Sequence, residues 1–579
     1  MSSLTRKLRQ SNRAIAAVSL IAMLAAWSPI AAFAQDGVVA RQQAAQPPAQ
    51  QQTQPAQNPI TQPLALSPDI PPSNKRVGIK EGQVASLPLQ DAIAMALQNN
   101  LDIEQFRQSV RISEYSLFSL RGFYDITSSA DIGYRSSTTP TSSSLQGGRS
   151  GSTTSKLLSY NFITSKQFEQ TGGYVTAEFD NSRSTSTSFF NQLNPQYSSV
   201  LTFSYTQPIL RNFSLDSTRR SIQLAKKSLD LSDSQFRQRT IEVINQVQRA
   251  YWDLVYARRN EQIARDSVDL AKTQLDNNRK MVEAGTLAPI ELRSTEAQLE
   301  TAKGNVIVAL QGITTAENAL KILLMKDPND KLWDSEVIPT DEPLSAQRTF
   351  ELEEATRLAL KNRPELEQMK LQTEQKEIDI KFYKNQLKPQ VDLVGTYTNN
   401  GLAGAFSPDA VNVGGGGPPA ERFLGGYFQS LSNLFSQDFR TYQVGVRLSF
   451  PWRNRTAKGN LGRALAESRQ LDARQRQLVE NVQVDVRNAL QAVEAARQRY
   501  EAATAGELAA DAQYKGEQER YRAGLSTNFV VLQRQTDLSV ARGTKVRALT
   551  DYNKALADLQ RVTGMTLVSN NVQISSKDN

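Results

Sequence analysis

Residues 213–284 contain neither proline nor glycine. Along them Leu224, Leu231, Ile241, Ile244, Val247, Tyr251 and Leu254 recur at three, four or seven residues, which is the period of a helix with one apolar stripe. At the rise of an α-helix such a run is about 100 Å long. A helix of that length cannot wrap around a compact core, so it predicts either a coiled coil or one stave of a helical wall. Residues 454–522 repeat the plan at nearly the same length, with Leu461, Leu465, Leu478, Val482, Val486 and Val493 along the stripe.

The second long run belongs to a wider duplication. Leu89 to Asn99 returns as Leu352 to Asn362, with Leu, Ala, Ala, Leu and Asn in register. Tyr205-Thr-Gln-Pro208 returns as Leu448-Ser-Phe-Pro451, each ahead of a long helix. Ala284-Gly285, followed by Leu299, Ala302 and Gly304, returns as Ala523-Gly524, Leu538, Ala541 and Gly543. Matches in one order imply two copies of a single unit: helix, strands, very long helix, glycine turn, helix. The boundaries that follow are 86–340 and 341–564, with a tail at 565–579.

The strand segments separate a bare coiled coil from something more. Leu201, Phe203 and Tyr205 alternate with Thr202, Ser204 and Thr206, and Ala130, Ile132 and Tyr134 with Asp131, Gly133 and Arg135. In the second copy Val391, Leu393, Gly395 and Tyr397, then Tyr442, Val444, Val446, Leu448 and Phe450, alternate with polar or small residues. Strands of about ten residues, apolar on one side only, suit a transmembrane barrel, and a soluble sandwich shares that alternation. Residues 160–168 and 173–181 read as an extra hairpin, leaving four or six strands open. Phe123, Tyr124, Phe213 and Trp452 are candidates for interfacial girdles. The Ser/Thr/Gly-rich stretches 136–155, 182–198 and 400–437 read as surface loops.

Composition narrows the chemistry. The chain has no cysteine and no histidine, so thiol nucleophiles, imidazole bases, disulfides and most transition-metal sites are excluded. No Gly-Lys pair offers a phosphate loop, and no catalytic, cofactor-binding or metal site is expected. Arg6, Lys7, Arg9 and Arg13 precede the apolar run Ala14 to Trp27, and Ala32-Phe33-Ala34 fits a cleavage site, so residues 1–34 are expected to be a signal peptide. Its removal would take four basic residues and lower the formal charge from +9 to +5. Residues 35–85 read as a flexible Gln/Pro-rich leader, with order beginning near Ser86. Arg219-Arg220 and Arg258-Arg259 read as solvated helix faces, and no nucleic acid is expected as a partner. No segment beyond the leader is expected to reach the length of a membrane-spanning helix, so membrane entry would require a closed barrel.

Taken together, the doubled opening Leu-x-x-Ala…Ala-Leu-x-Asn, the segment Pro451-Trp-Arg-Asn-Arg-Thr-Ala457 and the paired Ala-Gly turns resemble the TolC-like outer-membrane efflux family over most of 86–564. The resemblance implies an α+β fold: a trimeric transmembrane β-barrel continued by a long periplasmic α-helical barrel, two structural repeats per chain. It implies a homotrimer in outer-membrane lipid. The function implied is a passive export duct, part of a tripartite efflux or type I secretion system, gated at its periplasmic tip. No enzyme and no cofactor are implied. Gly285, Thr286 and Leu287, with Gly524, Leu525 and Ser526, would form the tip where a periplasmic adaptor protein and its inner-membrane pump dock. Glu291 and Tyr521 match the family's gating positions. Ser526 stands where the family's best-known member has arginine, and Val530 and Gln533 stand where it has a ring of aspartates. The alternative is the periplasmic adaptor of the same systems, which normally has one such hairpin.

Overall fold

The computed structural model describes residues 75–80, 82–142, 151–344, 350–408, 410–411 and 417–574. The expected signal peptide, most of the leader, positions 143–150 of the expected loop 136–155, the Gly414–Gly416 stretch and the last five residues of the tail lie outside these.

Both copies of the repeated unit are present. The first runs through β1 (Val84–Leu87), α1 (Leu89–Asn99), α2 (Leu101–Arg121), β2 (Thr127–Pro140), β3 (Ser152–Gln167), β4 (Tyr174–Ser186), β5 (Leu193–Pro208), α3 (Ser217–Glu283) and α4 (Ile290–Leu324). β6 (Glu336–Pro339) follows α4, and the second runs through α5 (Leu352–Asn362), α6 (Pro364–Gln386), β7 (Gln390–Phe406), α7 (Tyr427–Phe435), β8 (Arg440–Ser449), α8 (Arg455–Arg522) and α9 (Asn528–Val562). The long helices α3 and α8 have 67 and 68 residues, matching the length read from the proline-free run. The tail turns through α10 (Thr566–Ser569), and Leu567, Val572 and Ile574 pack on the first unit's core.

Six strands form one antiparallel sheet in the order β2-β3-β4-β5-β7-β8, so the extra hairpin is present as β3 and β4. The register gathers the apolar positions on a single face. Ala130, Phe162, Phe179 and Leu201 lie in one row, and Phe203, Tyr397 and Tyr442 in another. The opposite face carries Asp131, Asn161 and Asp180 in one row and Thr176, Ser204, Thr396 and Gln443 in another. The strands run well past the ten residues expected. Much of 136–155 and 182–198, together with 400–406, is strand rather than loop, because Ser and Thr pair as readily across a ladder as they turn in a loop. Thr138 and Thr154 hydroxyls bond across strands at 2.9 Å, for example.

Strand passes into helix at matching corners. Asn212 and Asn454 both take positive φ (66° and 40°) after the strand-ending prolines. Gln386 of α6 ties the two corners together: its side chain donates to Asn212 Oδ1 at 2.7 Å and its carbonyl accepts from Asn454 Nδ2 at 3.2 Å.

Three further sequence readings need correction. Order starts before Ser86: Arg76 is built into the first unit and β1 pairs in parallel with β6. Arg219 and Arg258 are not solvated. Arg219 is buried and bonds Asp216 Oδ2 at 2.9 Å and the Gln170 carbonyl at 3.1 Å, while Arg258 bonds Glu336 at 2.8 Å. In each case a partner distant in sequence meets the guanidinium, which neighbouring residues do not reveal. Finally, α4 is long and apolar enough to cross a membrane. The fold uses it otherwise, burying Leu299, Ala302, Val306, Ala309 and Ile313 along a stripe and leaving Ile307, Val308 and Ile322 exposed.

A buried ion cluster locks the middle of the helical part. Glu317, 1% exposed, accepts from Lys321 Nζ at 2.7 Å and Arg76 Nη1 at 2.5 Å, while Lys321 also donates to the carbonyls of Trp333 and Ser335 at 3.0 and 2.7 Å. Removing one partner strands the others without water. Glu317→Leu is therefore expected to cost about 3–5 kcal/mol, seen as a lowered melting temperature of the detergent-extracted protein. Adding Lys321→Met should recover part of that loss; an unchanged melting temperature in the single variant would count against the cluster's role.

Candidate functional site at the helical tip

At their far ends α3 and α8 stop in the same way. Gly285 and Gly524 hold φ +75° and +77°. The amide of Gly285 donates to Val282 O at 2.9 Å and that of Thr286 to Met281 O at 2.9 Å, while those of Gly524 and Leu525 donate to Tyr521 O and Arg520 O at 3.0 and 2.8 Å. These are paired Schellman caps, and a side chain with a Cβ is disfavoured at that left-handed residue. No atom lies within 4 Å of where a Cβ would stand at either glycine, so the conformation alone calls for glycine.

The predicted docking residues ring these turns. Thr286 is exposed, its hydroxyl donating to Met281 O at 2.9 Å, and Leu287 is half-buried. Leu525 is 71% exposed, and the Ser526 hydroxyl donates to Glu517 on α8. Ile290 and Phe529, each five residues past its glycine, are both 72% exposed. The two tips thus present the same plan: a glycine cap with a bare apolar side chain one and a half turns on.

Behind the turns the four long helices are joined by polar side chains in a dry environment. Asn278 of α3 is fully buried. Its amide group donates to Thr295 Oγ1 of α4 and Asn528 Oδ1 of α9, both at 2.8 Å. Its carbonyl oxygen accepts from Tyr521 OH of α8 and from Gln274 Nε2, both at 3.0 Å. That uses the full capacity of an amide side chain, two donors and two lone pairs. Asn528 Nδ2 in turn reaches Thr295 Oγ1 at 3.1 Å and Glu291 Oε2 at 3.3 Å. Met281 packs beside Tyr514, Tyr521, Val531 and Leu538, closing the apolar surround.

Glu291 and Tyr521 therefore meet through the amide pair rather than by direct contact. Burial raises the Tyr521 phenol above its ordinary pKa, and the Glu291 charge raises it further, so the hydroxyl remains a donor. Val530 is half-buried, and Gln533 is exposed and donates to Asp537 at 3.0 Å. Sequence reasoning missed Gln274, Asn278, Thr295 and Asn528. A signal existed: Ala257, Ala264 and Ala271 are buried at seven-residue spacing, and Asn278 is the next member of that row. A lone amide in an otherwise apolar heptad position fixes register at some cost in stability.

Tyr521→Phe removes one bond to Asn278 and is expected to cost about 1 kcal/mol, whereas Asn278→Leu leaves Asn528 and Thr295 short of partners and should cost more. Hydrogen exchange over 274–295 and 514–535 would show the order. Because the phenol's pKa is raised on folding, its contribution is complete below the unfolded value of about 10 and fades above it. Wild-type exchange corrected for intrinsic rate should therefore be flat at neutral pH and rise only above about pH 10. Tip exchange rising near neutrality would contradict this assignment.

Comparison with known proteins agrees with this architecture. The family model described as "Outer membrane efflux protein" matches residues 174–324 and 355–565, one stretch in each repeat and together more than half the chain. No curated protein sequence matches. Among solved structures, a membrane protein from Pseudomonas aeruginosa is similar with a TM-score of 0.57 at 16% identity, over 87% of this chain and 98% of that one. The CmeC outer membrane channel of Campylobacter jejuni gives 0.55 at 17%, over 83% and 86%. The MtrE outer membrane channel of Neisseria gonorrhoeae, in its open state, gives 0.55 at 19%, over 83% and 89%. At these identities the likeness speaks for the fold; the family match in both repeats speaks for the class. The chain belongs to the outer membrane efflux protein family.

Proposed function

We propose that three copies of this chain close a transmembrane barrel and a helical tunnel, forming a passive export duct that opens at its periplasmic tip when an adaptor docks there. The observation that carries this reading is the sheet: one face apolar, one face polar, and two edge strands, β2 and β8, whose outer sides have no partner among the described residues. In lipid an unpaired edge leaves backbone groups without hydrogen bonds, so such a sheet must close on something. Three copies of six strands would close an eighteen-stranded barrel, of the size that leaves an aqueous channel. The polar face would line it. The exposed Ile307, Val308 and Ile322 on α4 supply an apolar surface for a neighbouring copy to cover.

A duct of this kind has no fuel of its own, so energy comes from an inner-membrane pump reached through the adaptor. The buried Asn278–Asn528 link holds the hairpins α3–α4 and α8–α9 together, and docking at the glycine turns would shift the population of hairpin positions. The adaptor reading is not favoured, because the family match covers both repeats and the chain carries a full six-stranded sheet.

Detergent-extracted protein is expected to run as a trimer in native mass measurements. A well-folded monomeric barrel would refute the closure argument.

Gly285→Val and Gly524→Val test the tip. Each would cost about 1–2 kcal/mol from the left-handed backbone and nothing from crowding, since the space beside each glycine is empty. Trimer yield should stay near normal while export of a dye substrate falls. Normal export by both variants would show that these turns serve as helix caps alone.

A further inference from the structure

The helix α7 has no counterpart among the described residues of the first repeat and no part in the tip, yet it is seated with care. Ser430 and Leu434 are fully buried and Asn433 nearly so. The Ser430 hydroxyl bonds Ser199 Oγ of β5 and the Gly401 carbonyl of β7, both at 3.1 Å. Asn433 Nδ2 donates to the Leu402 carbonyl at 2.8 Å, and Tyr427 OH reaches Asn181 Oδ1 of β4 at 3.3 Å while its ring meets Tyr160 of β3 at 5.5 Å. At Gly401 any Cβ would collide with the Ser430 carbonyl oxygen, so the helix backbone rests directly on the strand.

The side of the sheet it occupies follows from register. Ser199 alternates in phase with Leu201, Phe203 and Tyr205, and Gly401 in phase with Tyr397 and Leu393. So α7 lies on the apolar face and crosses β7, β5 and β4 toward β3. On β7 its seat begins one residue beyond the Tyr397–Tyr442 pair's neighbours, at the end of the sheet away from the long helices. Its outward side carries Phe428 and Phe435, 83% and 69% exposed, two turns apart on one stripe. Basic groups stand at that end on the same face: Lys156 and Arg183 are exposed, and the Arg422 guanidinium stacks on Phe423 at 5.0 Å and Phe439 at 4.8 Å.

We propose that α7 is an interfacial anchor on the outside of the barrel wall, setting Phe428 and Phe435 into the outer leaflet of the outer membrane with the basic groups at its phosphate level. The occupant of this exposed face is lipid because the face is continuous with the apolar band of the sheet. A neighbouring copy joined at β2 or β8 extends the wall within its own surface and leaves the outward side of α7 uncovered. Aromatic side chains with basic neighbours are the usual chemistry of the membrane–water boundary, and a short amphipathic helix lying in that plane buries its apolar side there.

The proposal rests on the barrel reading, and one experiment separates the two. The chain has no cysteine, so single cysteines can carry a nitroxide label without background. Phe428→Cys, Phe435→Cys, Val444→Cys on the apolar face and Gln443→Cys on the polar face are labelled in trimers reconstituted into vesicles of phosphatidylethanolamine and phosphatidylglycerol. Collision with oxygen is compared with collision with a water-soluble nickel chelate. The oxygen-to-nickel ratio at 428, 435 and 444 is expected to be several-fold above that at 443. If 444 reports lipid while either 428 or 435 reports water, the anchor is overturned and the barrel stands. If 428 or 435 is shielded from both reagents, another protein surface covers α7 and the lipid assignment falls. If 444 itself reports water, the barrel reading fails and takes the anchor with it.

Discussion

A helix of about 100 Å with a single apolar stripe can be covered only by partners of similar length, and this constraint organises the helical half of the chain. The shorter α4 and α9 fold back along the distal parts of α3 and α8, while α2 and α6 cover α3 nearer the sheet, with α6 also against α8. Small residues allow the close approach. The alanines at 257, 264 and 271 let α3 pack tightly, and Leu275, Leu299 and Ala302 fill the seam beyond them. A seam made only of apolar residues would tolerate sliding by a turn. The buried Asn278 does not, since its bonds to Thr295, Asn528 and Tyr521 on the three other helices exist in one register alone.

The same tension between burial and hydrogen bonding runs through the sheet. Lipid demands that every backbone group be paired, which a six-stranded open sheet cannot satisfy by itself. Its apolar face and polar face are each suited to a medium the isolated chain does not supply. Under the proposed closure, architecture and assembly are one problem: the surface that meets lipid is also the surface that leaves a single copy incomplete.

The Glu317–Lys321–Arg76 cluster fixes the middle of the helical part through charges held away from water. Around Asn278 the tip relies mainly on amide and hydroxyl bonds, each worth about 1 kcal/mol, so under the proposed gating it is the cheaper place to open. That contrast follows from the residue types present and needs no special mechanism.

The sequence by itself determined the repeat, the two helices of 67 and 68 residues, the glycine turns and the two faces of each strand. These are local: a period, a missing proline, a left-handed residue each act within a few positions of the chain. Glu291 and Tyr521 were legible as tip residues only through resemblance, and the amides that join them were not. Asn278 and Asn528 lie 250 positions apart, and nothing near either one announces the other. The Ser/Thr-rich strand extensions read as loops because their composition suits both states, and cross-strand pairing decided between them. Likewise Arg76 in an apparent leader, and Arg219 on an apparent solvated face, were placed by carboxylates or carbonyls brought from elsewhere in the chain. Tertiary structure alone decided these, because a buried polar group takes its position from the partner that satisfies it, and that partner is set by the fold rather than by its neighbours in sequence.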